Sequence, residues 1–355
     1  MLRKFIIAGF IFSLLMACTP QNPYLDRTQQ QQFYVFGTLV AVTLWDVPEQ
    51  KANQAFTDIV QTLQVLHKKW HAWDEGSQVV ALNQAIAQGQ SYTIEDEMLL
   101  DLVKQAQILA AKSEYLFEPA IGKLIALWGF HQDDPSLTEP PKTKAIEKLL
   151  SEQPSIANLT ITGNVVTSSN PAVQLDFGAY AKGYAVDLMI KKLKKLDIEN
   201  AIVNAGGNLK VLGKAGNRPW MIGVRHPFPT EKKSVLAAVA VEDELSVVTS
   251  GDYERFFEFD GQHYSHVIDP RTGQPTTQIR SVTVVDKSAT LADAAATALM
   301  VAGIENWHSI AKKMGVHYVL IVDKAGAVHL NPAMIDLVKF QKRDLPDAII
   351  SEPLL

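Results

Sequence analysis

Asp293 and Thr297 stand four residues apart in the alanine-rich run ATLADAAATALMVAG (289–303), a spacing that puts both on one face of a helix. A carboxylate and a hydroxyl are hard oxygen donors, suited to Mg2+, which keeps water and substrate phosphates as its other ligands. An aspartate early in a helix can equally be there to complement the helix dipole. A second segment, LDFGAYAKGYAVD (175–187), reads as a strand ending in Asp176, small residues, and a helix start carrying Lys182. Small residues let backbone approach a ligand, and a helix N-terminus favours an anion. A lysine in the first helical turn opposes the dipole unless it answers to an anion; otherwise this is an ordinary strand–turn–helix junction. A third segment, TSGDYERFFEFDGQHYSHVIDPRTGQP (249–275), holds a hairpin at Asp260-Gly261 and then His263, His266 and Asp269. His266, between a strand and a turn, suits a general base, with Asp269 as its orienting carboxylate. His263 and His266 could instead form a metal pair, but residues three apart in a strand face opposite ways. A fourth segment, VNAGGNLKVLGK (203–214), tempts a phosphate-loop reading. Its glycine spacing is wrong and Ala215 stands where Ser or Thr is required, so a turn is the better reading.

These residues need a scaffold. Val35–Trp45 is β-branched and reads as one strand. Ala52, Ala55, Phe56, Ile59, Leu63 and Leu66 recur at helical spacing within 51–68, as do Leu99, Leu102, Val103, Ala106 and Leu109 within 95–112. Residues 131–141 are a proline-bearing loop, 142–151 a short helix, and 156–176 two strands about Thr162-Gly163-Asn164. A helix spans 178–196, and a strand at 201–204 runs into Gly206-Gly207. Strand-like runs fill 211–285. A helix over 291–302 stops at Gly303, and a helix (304–314) and a strand (318–322) follow. The mixture lacks strict βα alternation, which predicts an α+β fold with antiparallel or mixed sheets layered against helices.

The chain has 355 residues, 47% of them hydrophobic and 20% charged, with a formal net charge of −5. That is enough to bury a large core, and it argues against a protein held to nucleic acid by phosphate contacts. Residues 1–18, MLRKFIIAGFIFSLLMAC, have a basic start and an apolar stretch too short to span a bilayer, ending in Leu-Met-Ala-Cys. This reads as a bacterial lipoprotein signal over 1–17, with lipid attached to Cys18, the chain's one cysteine. Thiol catalysis and disulfides in the body are thereby excluded. Residues 18–32, with two prolines and Gln29–Gln32, read as a flexible tether. Acyl chains would hold the body on the periplasmic side of a membrane.

Taken together and in this order, Asp176 to Gly183, Gly206-Gly207, Ser265-His266-Val267-Ile268-Asp269-Pro270-Arg271-Thr272-Gly273 and Asp293-x3-Thr297 resemble the ApbE family of flavin transferases. The resemblance runs from about Val35 to Val322. It implies a single T-fold-like catalytic domain (33–340) followed by a C-terminal tail (341–355). It implies Mg2+ held by Asp293, Thr297 and the backbone carbonyl of Ala179. FAD, the substrate, would be contacted by Phe36, Trp73, Leu116, Phe117, Glu118, Asp176, Lys182, His266 and Ile268. This chain departs from the family where Met often replaces Phe36, Tyr replaces Trp73 and Asp replaces Glu118. The implied reaction moves FMN from FAD to a Thr (or Ser) hydroxyl of an acceptor protein, releasing AMP, with His266 taking the proton. The implied acceptors are flavoprotein subunits of membrane redox complexes. Family habit points to the inner membrane, while Thr19 and Pro20, neither acidic, also permit the outer. Two other readings use the same residues or fewer: Mg2+-dependent hydrolysis of FAD to FMN and AMP, and a lipid-anchored flavin-binding protein without catalysis.

Overall fold

The computed structural model describes residues 27–132, 139–230, 233–340 and 348–355. The chain opens with β1 (Thr28–Val35) and β2 (Thr38–Trp45), then α1 (Glu49–Trp70), α2 (Gln78–Ala87), β3 (Tyr92–Thr93) and α3 (Glu97–Lys112). Next come α4 (Gly122–Leu127), α5 (Thr143–Ser151), β4 (Leu159–Thr162), β5 (Val165–Ser168), α6 (Ala181–Lys195), β6 (Ala201–Ala205) and β7 (Asn208–Leu212). Strands β8 (Trp220–Thr230), β9 (Lys233–Val241), β10 (Ser246–Gly251), β11 (Phe256–Phe259), β12 (Gln262–Ser265) and β13 (Ile279–Asp286) precede α7 (Ala289–Met314). The chain closes with β14 (Tyr318–Asp323), β15 (Val328–Leu330), α8 (Pro332–Leu337), β16 (Val338–Phe340) and β17 (Ala348–Ile350).

The main sheet has nine strands in the order β1-β2-β6-β7-β10-β13-β14-β15-β17, antiparallel except for the parallel pair β15–β17. One face carries the principal core, in which Val40, Val42, Val203 and Val284 meet α1, α3, α6 and α7 through Ile59, Leu102, Met189 and Leu299. The other face meets the small sheet β16-β9-β8 through Trp45, Val211, Trp220, Val239 and Leu320. Strands covered on both faces read as near-continuous apolar runs rather than alternating ones, as in β13, where seven of eight residues are buried. A third cluster, Ile121, Leu124, Trp128, Phe130, Ile146, Phe257 and Ile268, fastens the β11–β12 hairpin to α4 and α5. The α+β expectation holds.

Several local expectations are corrected. Val35–Trp45 is not one strand: Phe36 and Gly37 turn with φ of 57° and 67°, making a hairpin of β1 and β2. The β-branched pattern runs straight across this turn, so composition hides it. The tether does not reach residue 32, because Thr28–Gln32 pair with Ala41–Trp45 at the sheet rim. Polar side chains suit an edge strand, and Gln29 Nε2 donates to the Val47 carbonyl at 2.7 Å. The expected C-terminal tail is likewise structured in part: β17 extends the main sheet, and Leu354, 2% exposed, joins the principal core. The signal segment, Cys18 and residues 341–347 lie outside the described residues. Among the described residues no helix is long and apolar enough to cross a membrane.

α7 is buried nearly all round, down to Thr290 and Asp293. Its alanines let α6 come close, and Gly183 marks the tightest approach. A Cβ there would stand 2.3 Å from the Ala289 carbonyl oxygen and 2.7 Å from Asp293 Cβ. Gly183→Ala is expected to cost about 1–3 kcal/mol through overpacking, read as a lowered melting temperature; an unchanged midpoint would contradict the close crossing. The helix breaks at Gly303 (φ 73°, ψ 175°), as its sequence predicts, then continues to Met314.

Candidate active site

The crossing of α6 and α7 gathers three oxygens. Asp293, 3% exposed, accepts hydrogen bonds at Oδ2 from Gly183 N–H and Asn208 Nδ2, both 2.8 Å. One turn on, Thr297 Oγ1 lies 3.4 Å from the Ala179 carbonyl oxygen, which it faces as donor. Burial pushes the Asp293 carboxyl up to about 6, against the pull of the Lys182 charge and the two hydrogen bonds. Its Oδ1 receives no donor among the described residues. A buried carboxylate with one unclaimed oxygen, next to a hydroxyl and a carbonyl, fits a hard divalent cation. Among the described residues no three or more His, Cys, Asp or Glu share a possible metal site. An ion here would lean on neutral oxygens and on its substrate.

Sequence reasoning missed what fixes this arrangement. The helix-dipole role open to Asp293 is filled by Asp187, whose carboxylate accepts from Thr290 N–H (2.9 Å), Thr290 Oγ1 (2.7 Å) and Ala289 N–H (3.2 Å). Lys210 Nζ pairs with it at 2.8 Å. Asp187 therefore caps α7 and sets its register against α6. Asn208, which aims the Asp293 carboxylate, follows Gly206-Gly207 at once. Those glycines form the β6–β7 hairpin turn, with φ of 59° and 97°, so the turn reading holds. A Cβ on Gly206 would meet Thr38 Oγ1 at 2.4 Å, which brings the Phe36 hairpin beside this turn.

The start of α6 is less open than its sequence suggests. Ala181 N–H donates to the Phe177 carbonyl and Gly183 N–H to Asp293, so neither awaits an anion. The positive charge is Lys182. It is half-buried, its Nζ donates to the Gly178 carbonyl at 3.2 Å, and it lies close enough to perturb both Asp293 and His266. Asp176 accepts from Trp73 Nε1 (2.8 Å) and Gly178 N–H (2.8 Å), which ties the indole to the loop before α6. Trp73 also packs on His131, ring centroids 5.0 Å apart, beside a cavity of about 290 Å³ that it lines with Asn83, Lys123 and Gln174. Asn83 fixes the Asp176 loop through reciprocal hydrogen bonds to Leu175. Phe36 meets His67 edge-on at 5.6 Å.

The Leu116–Glu118 segment is corrected. Phe117 is fully buried against Tyr180, and Leu116 is buried too. Glu118 accepts from Ser155 Oγ (2.7 Å), Ile156 N–H (2.9 Å) and Ala120 N–H (3.0 Å), and burial raises its carboxyl. These side chains lock two loops together and are committed to the fold.

His266 donates its backbone N–H to the Arg255 carbonyl at 2.9 Å, and its Nδ1 lies 3.1 Å from the same oxygen. A carbonyl only accepts, so Nδ1 carries the proton and Nε2 offers a lone pair. Asp269 does not orient it. The Asp269 carboxylate is taken by Arg271, through Nε (2.9 Å), Nη2 (2.7 Å) and N–H (2.9 Å), two residues along the same turn. His263 is no metal partner either: its Nε2 faces the Asp252 carbonyl at 3.0 Å while its ring packs on Phe256. Ile268 is buried in the third cluster with Trp128, whose Nε1 donates to the Gly273 carbonyl. Burial, and then the Lys182 charge, push the His266 imidazole down to about 4. Both effects favour the neutral imidazole, the state a proton acceptor needs. NMR titration of the ligand-free protein should show a His266 midpoint near 4, raised in Lys182→Ala; a midpoint at the ordinary 6.5 would contradict this environment.

The ApbE family pattern matches residues 36–320. An FAD:protein FMN transferase of Rhodobacter capsulatus is 45% identical over 86% of this chain and 57% of its own length, so the chain spans little more than half of that relative. The FAD:protein FMN transferase of Treponema pallidum is 32% identical over 86% of this chain and 87% of its own. The crystal structure of the ApbE protein from Thermotoga maritima superposes with a TM-score of 0.76 at 32% identity, covering 85% of this chain and 96% of that one. With the α6–α7 oxygen cluster and the His266 turn inside the matched span, the chain belongs to the ApbE family.

Proposed function

We propose that this protein transfers the FMN half of FAD to a hydroxyl of an acceptor protein, with AMP as the other product. The observation that carries the reading is the buried Asp293 carboxylate, set with Thr297 Oγ1 and the Ala179 carbonyl next to Lys182 and His266. Asp293, Thr297 and Ala179 would hold Mg2+, which when bound would offset diphosphate charge. Lys182 places a second positive charge beside that diphosphate. The face formed by Trp73 and the Asp176 loop offers a flat surface for one of the two ring systems. An acceptor threonine approaches the FMN-side phosphorus and His266 Nε2 takes its proton. The new O–P bond forms as the bridging P–O bond to AMP breaks, and AMP leaves with the bonding pair.

The lipoprotein signal supports a periplasmic, membrane-anchored enzyme acting on flavoprotein subunits of redox complexes. The deciding experiment incubates the purified protein with FAD, Mg2+ and such a subunit, then weighs the subunit. A gain of one FMN phosphoryl group per chain, with equimolar AMP, is expected. AMP and free FMN appearing at the same rate with or without the subunit would mean that water is the true acceptor. No AMP at all would leave a flavin-binding protein.

A further inference from the structure

We infer that Asp252 is a positioning residue for His266, acting through the main chain of the turn that joins β10 to β11. The inference rests on the reading of His266 as proton acceptor. Both the backbone N–H and Nδ1 of His266 point at one oxygen, the Arg255 carbonyl. The direction of Nε2 therefore depends on where that carbonyl sits. Arg255 lies in a short exit from the main sheet, in which Glu254 N–H returns to the Gly251 carbonyl at 3.3 Å. The turn is anchored at Asp252, which is 4% exposed. Its N–H donates to the Arg280 carbonyl at 3.0 Å, and its own carbonyl faces His263 Nε2 at 3.0 Å. Its carboxylate accepts from Arg280 Nη1 at 2.6 Å.

Arg280 is placed for this by an irregularity in β13, where the pairing with β14 shifts between Ile279 and Ser281. A bulge of this kind inserts an unpaired residue and re-aims its side chain. The guanidinium also lies over the Phe228 ring, 5.1 Å from its centroid. Asp252 Oδ1 and Arg280 Nε are both buried without a partner. An incompletely satisfied buried ion pair is a poor source of stability. What this pair does supply is a fixed turn, and with it a fixed imidazole. The orienting carboxylate that the sequence suggested at Asp269 is thus found at Asp252, acting one carbonyl removed.

The test measures FMN transfer by the full chain, with FAD, Mg2+ and an acceptor subunit, in D252N, D252A, R280K, H266A and the D252N/H266A double variant. D252A should lower kcat about 10–100-fold, in the range for a group that orients another, with KM for FAD within about threefold of the parent. D252N keeps the size and one acceptor oxygen, so it folds and recovers part of the loss; R280K falls between. In the H266A background D252N should have no further effect beyond about twofold, because the two act as a unit. Transfer by D252A and D252N within about twofold of the parent, while H266A is impaired, overturns the positioning role and leaves His266 standing. An equal loss from D252N with and without His266 overturns it too, because the aspartate then acts independently. Full activity in H266A brings down the reading of His266, and this inference with it.

Discussion

Asp293→Asn is expected to stop FMN transfer while leaving the metal-free protein as stable as its parent, or more so. Oδ2 of Asp293 already accepts two hydrogen bonds, which an amide oxygen can also accept. What the amide cannot supply is a negative charge for a cation. Loss of metal-assisted charge stabilisation is worth several kcal/mol, or about 10³-fold or more in rate. The stability side follows from the raised carboxyl. Its folded pKa, about 6, lies above the ordinary aspartate value of 3.8. The native state therefore holds the proton more tightly, and stability falls as pH rises through that window. At neutral pH the ionised carboxylate is a cost, which the asparagine removes and bound Mg2+ would offset. Thermal melts with and without Mg2+ check both halves: the parent should gain stability from Mg2+ and the variant should not. A variant that melts well below its metal-free parent, or that keeps its Mg2+ response, would make Asp293 a structural residue.

His266→Ala carries the second large effect, a loss of about 10²–10⁴-fold in kcat, the usual worth of positioned proton transfer. FAD affinity should change little, because the imidazole is turned by its Nδ1 toward the Arg255 carbonyl and not toward a charge partner. Single-turnover transfer and FAD binding measured side by side separate the two. Equal transfer rates in the variant and the parent would remove His266 from the reaction. A loss confined to FAD affinity would make it a binding group.

Much of the scaffold was readable from periodicity. The inward residues read for α1 and α3 are all buried, because a single apolar stripe against one sheet leaves a clean helical spacing. Helix α2 escaped because QVVALNQAIA reads equally well as a strand, and its Ser77 cap shows only once Val80 N–H is seen to donate to it. Asp293 and Thr297 could be read because their spacing lies within one helix. The partners that make them a site could not be read from spacing. Gly183, Ala179 and Asn208 come from other elements, and pairing across the fold leaves no local trace; the Ala179 carbonyl was reached only through the family resemblance. Asp269 shows the reverse hazard. Three residues from His266 in sequence, it is bound by Arg271 on its own turn, while the pair behind the Arg255 carbonyl that His266 faces joins Asp252, just after β10, to Arg280 in β13.

Strand β1 has a practical consequence for anyone wishing to shorten the chain at its N-terminal end. Cutting the chain at residue 33, where the polar segment was expected to end, would strip the first five residues of that strand from Ala41–Trp45. The exposed rim would then be Val-Thr-Leu-Trp with no proline or charge to guard it, a template for sticking to other copies. A soluble, monodisperse preparation therefore calls for trimming no deeper than Arg27, whose carbonyl accepts from Asp46 N–H at 2.8 Å and closes the outer end of the hairpin.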